Sequence, residues 1–351
     1  MQQAQIFKQK VLQLIPEEFD ALALEIFQYQ AKHNLVYKKY LRHLHIQVNT
    51  IDTIEKIPFL PIEFFKTQNV ISGEDKTRIT FESSGTTGQN TSQHHVQDPE
   101  FYLQIAEQIF EKFYGKLSDF QIFALLPSYL ERTNSSLIYM VDHFIKKNGN
   151  PNSGFYLDDY IALAKALGGD ETKEKGNGRN QTSNILLIGV TFGLLDFAES
   201  DIDLSFLQNT DNLIVMETGG MKGRRKELLR EEVHEILTKA FHVKTIHSEY
   251  GMTELLSQGY SKGKGIFELP VSMKIMLRDI NDPFHYITNS RSGGINIIDL
   301  ANVDSCCFVE TKDLGSWITE NREQSLDNYQ KFSILGRFDN SDIRGCNLMI
   351  Q

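Results

Sequence analysis

The stretch Ile185-Leu186-Leu187-Ile188-Gly189-Val190 decides the fold, because it is a short run with no polar side chain. Such a run predicts a strand that is buried on both faces, as the strands of parallel sheets are. Residues 121–126 and 213–216 form similar runs, and each of the three is followed by sequence with a helical pattern. Alternation of strand and helix predicts an α/β protein built on a largely parallel sheet.

The segments on either side of this core have different patterns. Residues 1–46 carry apolar side chains at helical spacing, so they predict helices. Residues 271–277, 294–300 and 307–310 alternate between apolar and polar side chains. We therefore expect a smaller antiparallel β subdomain that begins at about residue 260.

Composition narrows the classes of function. The chain has 351 residues and a net charge of −10, which disfavours nonspecific binding to nucleic acid. Its apolar runs are too short to span a bilayer, and the polar start Met1-Gln2-Gln3 does not look like a signal peptide. Three cysteines give no disulfide framework, so we expect reduced thiols and a cytoplasmic protein. The sequence is compatible with a homo-oligomer and does not determine the oligomeric state.

A glycine-rich loop follows a strand-like segment at residues 78–81. Glycine lets backbone N–H groups approach a ligand, and serine and threonine add hydroxyl donors, so the loop suits the phosphates of a nucleotide. It lacks the lysine pattern of the common P-loop, and an ordinary surface turn has a similar composition. The candidate phosphate-binding residues are Ser83, Ser84, Gly85, Thr86, Thr87 and Gly88.

Two further segments follow predicted strands, at the edge where open α/β sheets bind ligands. One contains Gly219 and Gly220, whose lack of side chains would let the turn lie flat against a planar ligand. A plain strand-to-helix connection explains that turn equally well. In the other, Tyr250 could stack on a base, Thr253 could donate to a phosphate, and Glu254 could hold Mg²⁺.

Four motifs occur in an order that resembles the adenylate-forming enzymes, a superfamily that includes acyl-CoA synthetases, luciferases and peptide-synthetase adenylation domains. They are residues 83–88 (SSGTTG), 250–254 (YGMTE), 313–315 (DLG) and 336–339 (GRFD). Two more segments, residues 57–66 (IPFLPIEFFK) and 218–223 (TGGMKG), resemble a narrower group. That group is the acyl-protein synthetases, the long-chain-fatty-acid–luciferin-component ligases of the bacterial luminescence fatty acid reductase. The phenylacetate-CoA ligases are a close neighbour.

The resemblance implies ATP and Mg²⁺ as cofactors and gives roles to the motif residues. The loop from Ser83 to Gly88 would hold the β and γ phosphates of ATP. Gly219 and Gly220 would flank the adenine, and Tyr250 would stack on it.

The remaining motif residues complete the implied site. Thr253 would contact the α-phosphate and Glu254 would bind Mg²⁺, so both count as catalytic. Asp313 would take the ribose hydroxyls, with Arg337 beside it as a further catalytic residue.

The chain departs from the superfamily pattern in two places. Where the glycine-rich loop usually continues with proline and lysine, it has Asn90 and Thr91, so one phosphate-binding cation is missing. It also ends soon after the 336–339 motif, so we expect the fold of the large domain with its C-terminal domain truncated. Residues 1–335 would form the adenylate-forming domain and residues 336–351 a hinge with a short remnant.

The implied function is ATP-dependent activation of a fatty carboxylic acid and transfer of the acyl group to a protein cysteine. Cys346 is the acceptor that the resemblance suggests, whereas Cys306 and Cys307 lie in a strand pattern. An acyl-reductase or acyl-carrier protein would receive the acyl group. Two alternatives are a fatty or aryl acyl-CoA ligase and a non-catalytic nucleotide-binding scaffold.

The expected acid is apolar, because the candidate acid-side segments at residues 127–130 and 189–197 have large apolar side chains and few cations. Those side chains are Leu130, Phe192, Leu194, Leu195 and Phe197.

Overall fold

A computed structural model of the chain describes residues 2–74, 76–83, 91–126, 134–168, 184–210, 212–219, 228–287, 292–318 and 331–337. The helices are α1 Gln2–Leu12, α2 Phe19–His33, α3 Leu35–His43, α4 Phe64–Thr67, α5 Pro99–Tyr114, α6 Ser136–Asn148, α7 Tyr160–Gly168, α8 Thr191–Ala198 and α9 Arg230–Phe241. None of the helices in these ranges combines the length and the apolarity needed to cross a bilayer.

The strands account for most of the remaining regular structure. They are β1 Leu60–Pro61, β2 Ile79–Glu82, β3 Gln93–Val96, β4 Phe120–Leu125, β5 Gly154–Phe155, β6 Asn184–Val190, β7 Leu213–Thr218, β8 His247–Tyr250, β9 Gly259–Ser261, β10 Ile266–Glu268, β11 Met273–Arg278, β12 Gly293–Asp299, β13 Phe308–Trp317 and β14 Lys331–Arg337.

The chain divides into two compact units. The central unit comprises Phe81–Ser83 and Pro99–Phe267. The split unit comprises Met1–Thr80, Ser84–Asp98 and Glu268–Gln351, so its parts come from both ends of the sequence.

The central unit contains the parallel sheet that the sequence predicts. Its strands lie in the order β5-β4-β6-β7-β8, each parallel to its neighbour, and β9 then pairs antiparallel with β8. All six residues of β4 and six of the seven in β6 are buried, as expected for strands covered on both faces.

Helices of the central unit pack by their apolar faces. In α5, Tyr102, Ile105, Ile109 and Phe110 recur at helical spacing and are buried. The Phe110 ring lies 5.4 Å from Phe120 on β4, and each ring buried in this way stabilises the fold by about 1.5–3 kcal/mol.

The split unit contains the smaller antiparallel sheet, with strands in the order β11-β12-β13-β14. This confirms the antiparallel pattern predicted for residues 271–310. The short strand β1, from the proline-rich segment 57–66, adds to this sheet by pairing parallel to β13.

The N-terminal helices belong to the split unit, and two buried polar side chains join them to its sheet. On α2, the Gln30 amide donates to the carbonyls of Asn302 and Val303 and accepts from the backbone N–H of Cys307. Asn34 caps α3 by accepting from the N–H of Tyr37, and its amide donates to the carbonyl of Ser305. These side chains fix the helices against the turn that precedes β13.

Candidate active site

The carboxyl ends of β6, β7 and β8 lie side by side in the central unit. Val190 pairs with Thr218, and Thr218 pairs with Glu249, so the three strands end within one residue of each other. Loops that leave a parallel sheet at this edge form the ligand sites of open α/β folds. The predicted residues Gly219 and Tyr250 both lie here.

Gly219 is the first residue after β7, and its φ of +69° lies in the left-handed region that favours glycine. The chain turns sharply at this point as it leaves the sheet. Gly220, its predicted partner in flanking an adenine, lies outside the described residues.

Tyr250 is the last residue of β8 and is mostly buried. Its ring meets the edge of Phe267 at 5.9 Å, which holds the side chain in one orientation beside the strand end. A ring fixed in this way suits stacking on a planar ligand better than a mobile side chain does.

Thr253 and Glu254 follow in a turn closed by the N–H of Leu255, which donates to the carbonyl of Met252. Glu254 is 5% exposed, so its carboxylate is held within the protein. The described residues contain no group of three or more His, Cys, Asp or Glu side chains placed to hold a metal ion. A single carboxylate still fits Mg²⁺, which takes one or two carboxylates together with substrate phosphates.

Ser83 follows β2 directly, at the start of the glycine-rich loop. Contacts of β2 fix the position from which the loop begins. The Phe81 ring contacts Tyr102 and Tyr139, and the N–H of Glu82 donates to the carbonyl of Asn134. The rest of the predicted phosphate loop lies outside the described residues: Ser84, Gly85, Thr86, Thr87 and Gly88.

Asp313 and Arg337 lie opposite each other in the split unit, on β13 and β14. Arg337 Nε is 3.3 Å from Asp313 Oδ1, and the N–H of Asp313 donates to Thr311 Oγ1 at 3.1 Å. Gly336, next to Arg337, has a φ of +149° and so needs glycine. The structure therefore pairs the two side chains that the sequence analysis placed together.

Two of the three cysteines are core residues. Cys306 and Cys307 are fully buried, and burial raises the pKa of the Cys306 thiol to about 12 and that of Cys307 well above its ordinary value. A thiol with such a pKa is a poor nucleophile at neutral pH. Cys346 lies outside the described residues.

The apolar side chains of α8 serve the core of the central unit. Leu194 packs closely against Gly189, and the Phe197 ring contacts Tyr160 and Phe241. Leu130, expected on the acid side with them, lies outside the described residues. The α8 side chains therefore give no independent evidence for an acyl pocket.

Two buried glutamates at the strand ends were missed by the sequence analysis. The first, Glu217 on β7, accepts from Thr191 Oγ1 at 2.8 Å and lies 3.3 Å from Arg230 and 3.8 Å from His234. Burial disfavours its charge, but these neighbours outweigh burial and lower the pKa of Glu217 below its ordinary value.

The second, Glu249 on β8, accepts a 2.5 Å hydrogen bond from Thr218 Oγ1. Burial raises its pKa to about 7, and the charge of Glu217 adds to that effect. No periodic pattern identifies these residues, because a glutamate at a strand end usually faces solvent.

Comparison with known proteins places this chain in a family. The model of the acyl-protein synthetase family LuxE matches residues 6–351. No curated protein sequence matches the chain.

Three solved structures resemble the fold. One is 2-hydroxyisobutyryl-CoA ligase in an open conformation in complex with 2-HIB-AMP and CoA, with a TM-score of 0.65, 10% identity, and coverage of 92% of this chain and 75% of that chain. The same ligase in its thioesterification state has a TM-score of 0.63 and 12% identity, covering 94% of this chain and 70% of that chain. An ATP-bound RpMatB-BxBclM chimera has a TM-score of 0.50 and 15% identity, and the match covers 74% of this chain and 47% of that chain.

These likenesses confirm the predicted large-domain fold of an adenylate-forming enzyme. The family match covers nearly the whole chain, and the motifs described above lie within the matched residues. The chain therefore belongs to the LuxE family of acyl-protein synthetases and is an AMP-forming ligase.

Proposed function

We propose that this ligase activates a fatty carboxylic acid with ATP and transfers the acyl group to Cys346 as a thioester. The observation that carries the proposal is the match to the acyl-protein synthetase family over residues 6–351. The alignment of the ends of β6, β7 and β8 supports it, because such an edge suits a nucleotide. An acyl-reductase or acyl-carrier protein in the cytoplasm would then receive the acyl group.

In this proposal the nucleotide is held by residues of four motifs. The loop from Ser83 to Gly88 binds the β and γ phosphates, and Tyr250 stacks on an adenine flanked by Gly219 and Gly220. Asp313 accepts from the ribose hydroxyls, and Arg337 orients the Asp313 carboxylate across the strand pair.

Thr253 and Glu254 act near the reacting phosphate. The Thr253 hydroxyl donates to the α-phosphate, where negative charge builds up during attack. Glu254 would hold Mg²⁺, which neutralises charge on the phosphates when it is bound.

The reaction has two balanced steps. An oxygen of the carboxylate forms a bond to the α-phosphorus, and the bond from that phosphorus to the bridging oxygen breaks to release pyrophosphate. The thiol of Cys346 then loses its proton to solvent, the sulfur attacks the acyl carbon, and the bond to AMP breaks. Burial raises the pKa values of Cys306 and Cys307, so neither core thiol suits this step.

We further propose that residues 1–335 form the adenylating domain and residues 336–351 a hinge and the segment that carries the acceptor. This division separates acid activation from acyl transfer along the chain. Adenylation should therefore persist when the acceptor cysteine is changed.

Pyrophosphate–ATP exchange tests the first step. We expect exchange that depends on added fatty acid, and a hydroxylamine-labile acyl adduct on the protein when CoA is omitted. Formation of free acyl-CoA, with no protein adduct, would identify a CoA ligase instead. ATP binding with no exchange for any acid would overturn the proposed activity with fatty acids.

A further inference from the structure

Thr218 and Glu249 join the ends of two neighbouring strands. They are register partners on the parallel pair β7 and β8, and Thr218 Oγ1 donates to Glu249 Oε2 at 2.5 Å. Both side chains are buried. The next residue after Thr218 is Gly219, and the next after Glu249 is Tyr250. This hydrogen bond therefore lies immediately before the points at which both candidate adenine-binding segments leave the sheet.

The Glu249 side chain also shapes the turn that follows it. Its Oε1 lies so close to Gly251 that a Cβ atom at position 251 would collide with it. The Glu249 carboxyl group can therefore occupy this position because residue 251 of the 250–254 motif is glycine. A single carboxyl group contacts one strand end through Thr218 and the following turn through Gly251.

The opposite face of the same strand pair has a separate polar group. Register partners on parallel strands point to the same face, so Glu217 and Ser248 face away from Thr218 and Glu249. Arg230 bonds to both Glu217 and Ser248 on that face. The Thr218–Glu249 hydrogen bond can therefore be removed without changing the partners of Arg230.

We propose that Glu249 is a positioning residue for ATP, which fixes Gly219 and Tyr250 relative to each other through its hydrogen bond to Thr218. This inference rests on the proposed assignment of Gly219 and Tyr250 to the nucleotide. Loss of the hydrogen bond lets the two strand ends separate, so ATP affinity falls although no contact to ATP is removed.

The protonation state of Glu249 adds a second consequence. Burial raises its pKa to about 7, and the titratable groups that act on it in the described part of the chain are Glu217 on β7 and Tyr260 on β9. Tyr114 and Tyr102 of α5 act in turn on Tyr260, and burial raises the pKa of Tyr114 above its ordinary value. Glu249 is therefore uncharged below about pH 7 and negative above it, where its charge beside Tyr250 repels the polyanionic nucleotide.

The test measures the Kd for Mg-ATP by calorimetry from pH 6 to pH 8.5. The variants are Thr218→Val, Glu249→Ala, Glu249→Gln and the double variant Thr218→Val/Glu249→Ala. Tyr114→Phe is the matched control, because it removes a 3.1 Å hydrogen bond to His247 at the other end of β8. Thermal unfolding of each variant reports whether it is folded.

Removal of either partner should weaken ATP binding roughly tenfold at pH 6.5, the effect of one lost buried hydrogen bond. The double variant should bind no more weakly than the weaker single variant, because both changes remove the same bond. Glu249→Gln keeps an acceptor and should bind within about twofold of wild type at pH 6. Tyr114→Phe should lower the melting temperature but leave the Kd unchanged.

The pH profile tests the charge of Glu249 separately from its hydrogen bond to Thr218. ATP itself changes charge in this range, so the readout is the ratio of the wild-type Kd to the Glu249→Gln Kd. We expect this ratio to rise roughly two- to tenfold above pH 7, since only the wild-type side chain ionises.

Wild-type ATP affinity in folded Glu249→Ala or in folded Thr218→Val would overturn the positioning role, and a Kd ratio that does not change with pH would overturn the added charge effect. Tyr250→Ala and Asp313→Ala are measured in the same assay to separate this failure from that of the proposed site. If those two variants also bind ATP like wild type, the nucleotide site itself is wrong. If they lose ATP while the Glu249 and Thr218 variants keep it, only the positioning role is wrong.

Discussion

Asp313 and Arg337 form an ion pair across β13 and β14, with 3.3 Å between Nε and Oδ1. The arginine side chain is 72% exposed and the aspartate 11% exposed. A pair with one partner so exposed adds little to folding stability. The arrangement therefore suits orientation of the Asp313 carboxylate for a ligand better than it suits stabilisation of the sheet.

The first prediction concerns that carboxylate. Asp313→Ala should weaken ATP binding roughly ten- to a hundredfold, because hydrogen bonds to a charged group contribute about 1.5–3 kcal/mol. Arg337→Ala should have a smaller effect, since it leaves the carboxylate in place. Calorimetry with ATP measures both. Glu268→Ala is the control, because it removes the exposed ion pair with Lys331; an equal loss of affinity in this variant would contradict the assignment.

The second prediction concerns Glu254. Glu254→Gln keeps the size of the side chain and removes its charge, so the Mg²⁺ concentration needed for half-maximal pyrophosphate exchange should rise several-fold. Saturating Mg²⁺ should restore part of the rate. An unchanged Mg²⁺ dependence would remove Glu254 from the metal site.

The third prediction concerns the acid. If the acyl site is apolar, affinity should rise with chain length at about 0.8 kcal/mol per buried methylene until the site is full. Pyrophosphate exchange measured across a series of straight-chain acids gives the trend. Equal or better use of acetate than of acids with about eight or more carbons would reject a fatty substrate.

The fourth prediction concerns stability at acidic pH. Burial and then the charge of Lys262 lower the pKa of His247 to about 4, below its ordinary value of 6.5. The unfolded chain therefore binds a proton at higher pH than the folded chain does, and His247 destabilises the fold as the pH falls from about 6.5 to about 4.

His247→Gln should lose this dependence, so its melting temperature should fall less than that of wild type between pH 7 and pH 4.5. Glu249 has the opposite sign, because its raised pKa costs stability as the pH rises from 4.5 to about 7. The comparison of variant with wild type cancels the Glu249 contribution. Parallel melting curves for the two proteins would contradict the assigned pKa of His247.

The parallel core could be predicted because its strands are apolar on both faces. The apolar runs at residues 185–190 and 213–216 predict buried strands without any knowledge of the strands beside them. Both are strands in the structure. The order of the strands within the sheet could not be predicted from such apolar runs. It depends on which strands pair, and that is decided by contacts between segments far apart in sequence.

The ends of the strands were harder to predict than their centres. The sequence predicts a strand at residues 243–247, but the strand is His247–Tyr250, with Ser248 and Glu249 buried beside β7. A polar residue can be buried when a partner on the neighbouring strand satisfies its hydrogen bonds, as Thr218 does for Glu249, and the sequence does not show such a partner. The candidate motif residues could be found from glycine and hydroxyl patterns, whereas the side chains that hold them could not.

The acceptor cysteine decides between acyl-protein synthesis and other ligations. Cys306→Ala and Cys307→Ala provide controls, because both thiols are buried and have raised pKa values. These two variants should keep acyl loading apart from the stability lost on truncating a buried side chain.

The most direct test is the intact mass of the protein after incubation with ATP, Mg²⁺ and a long-chain fatty acid. The account predicts the addition of one acyl group, removed by neutral hydroxylamine, and its absence from Cys346→Ser. That variant should retain acid-dependent pyrophosphate exchange, because adenylation precedes attack by the thiol. A hydroxylamine-labile adduct of wild-type extent in Cys346→Ser, or loss of exchange in the folded variant, would contradict the account.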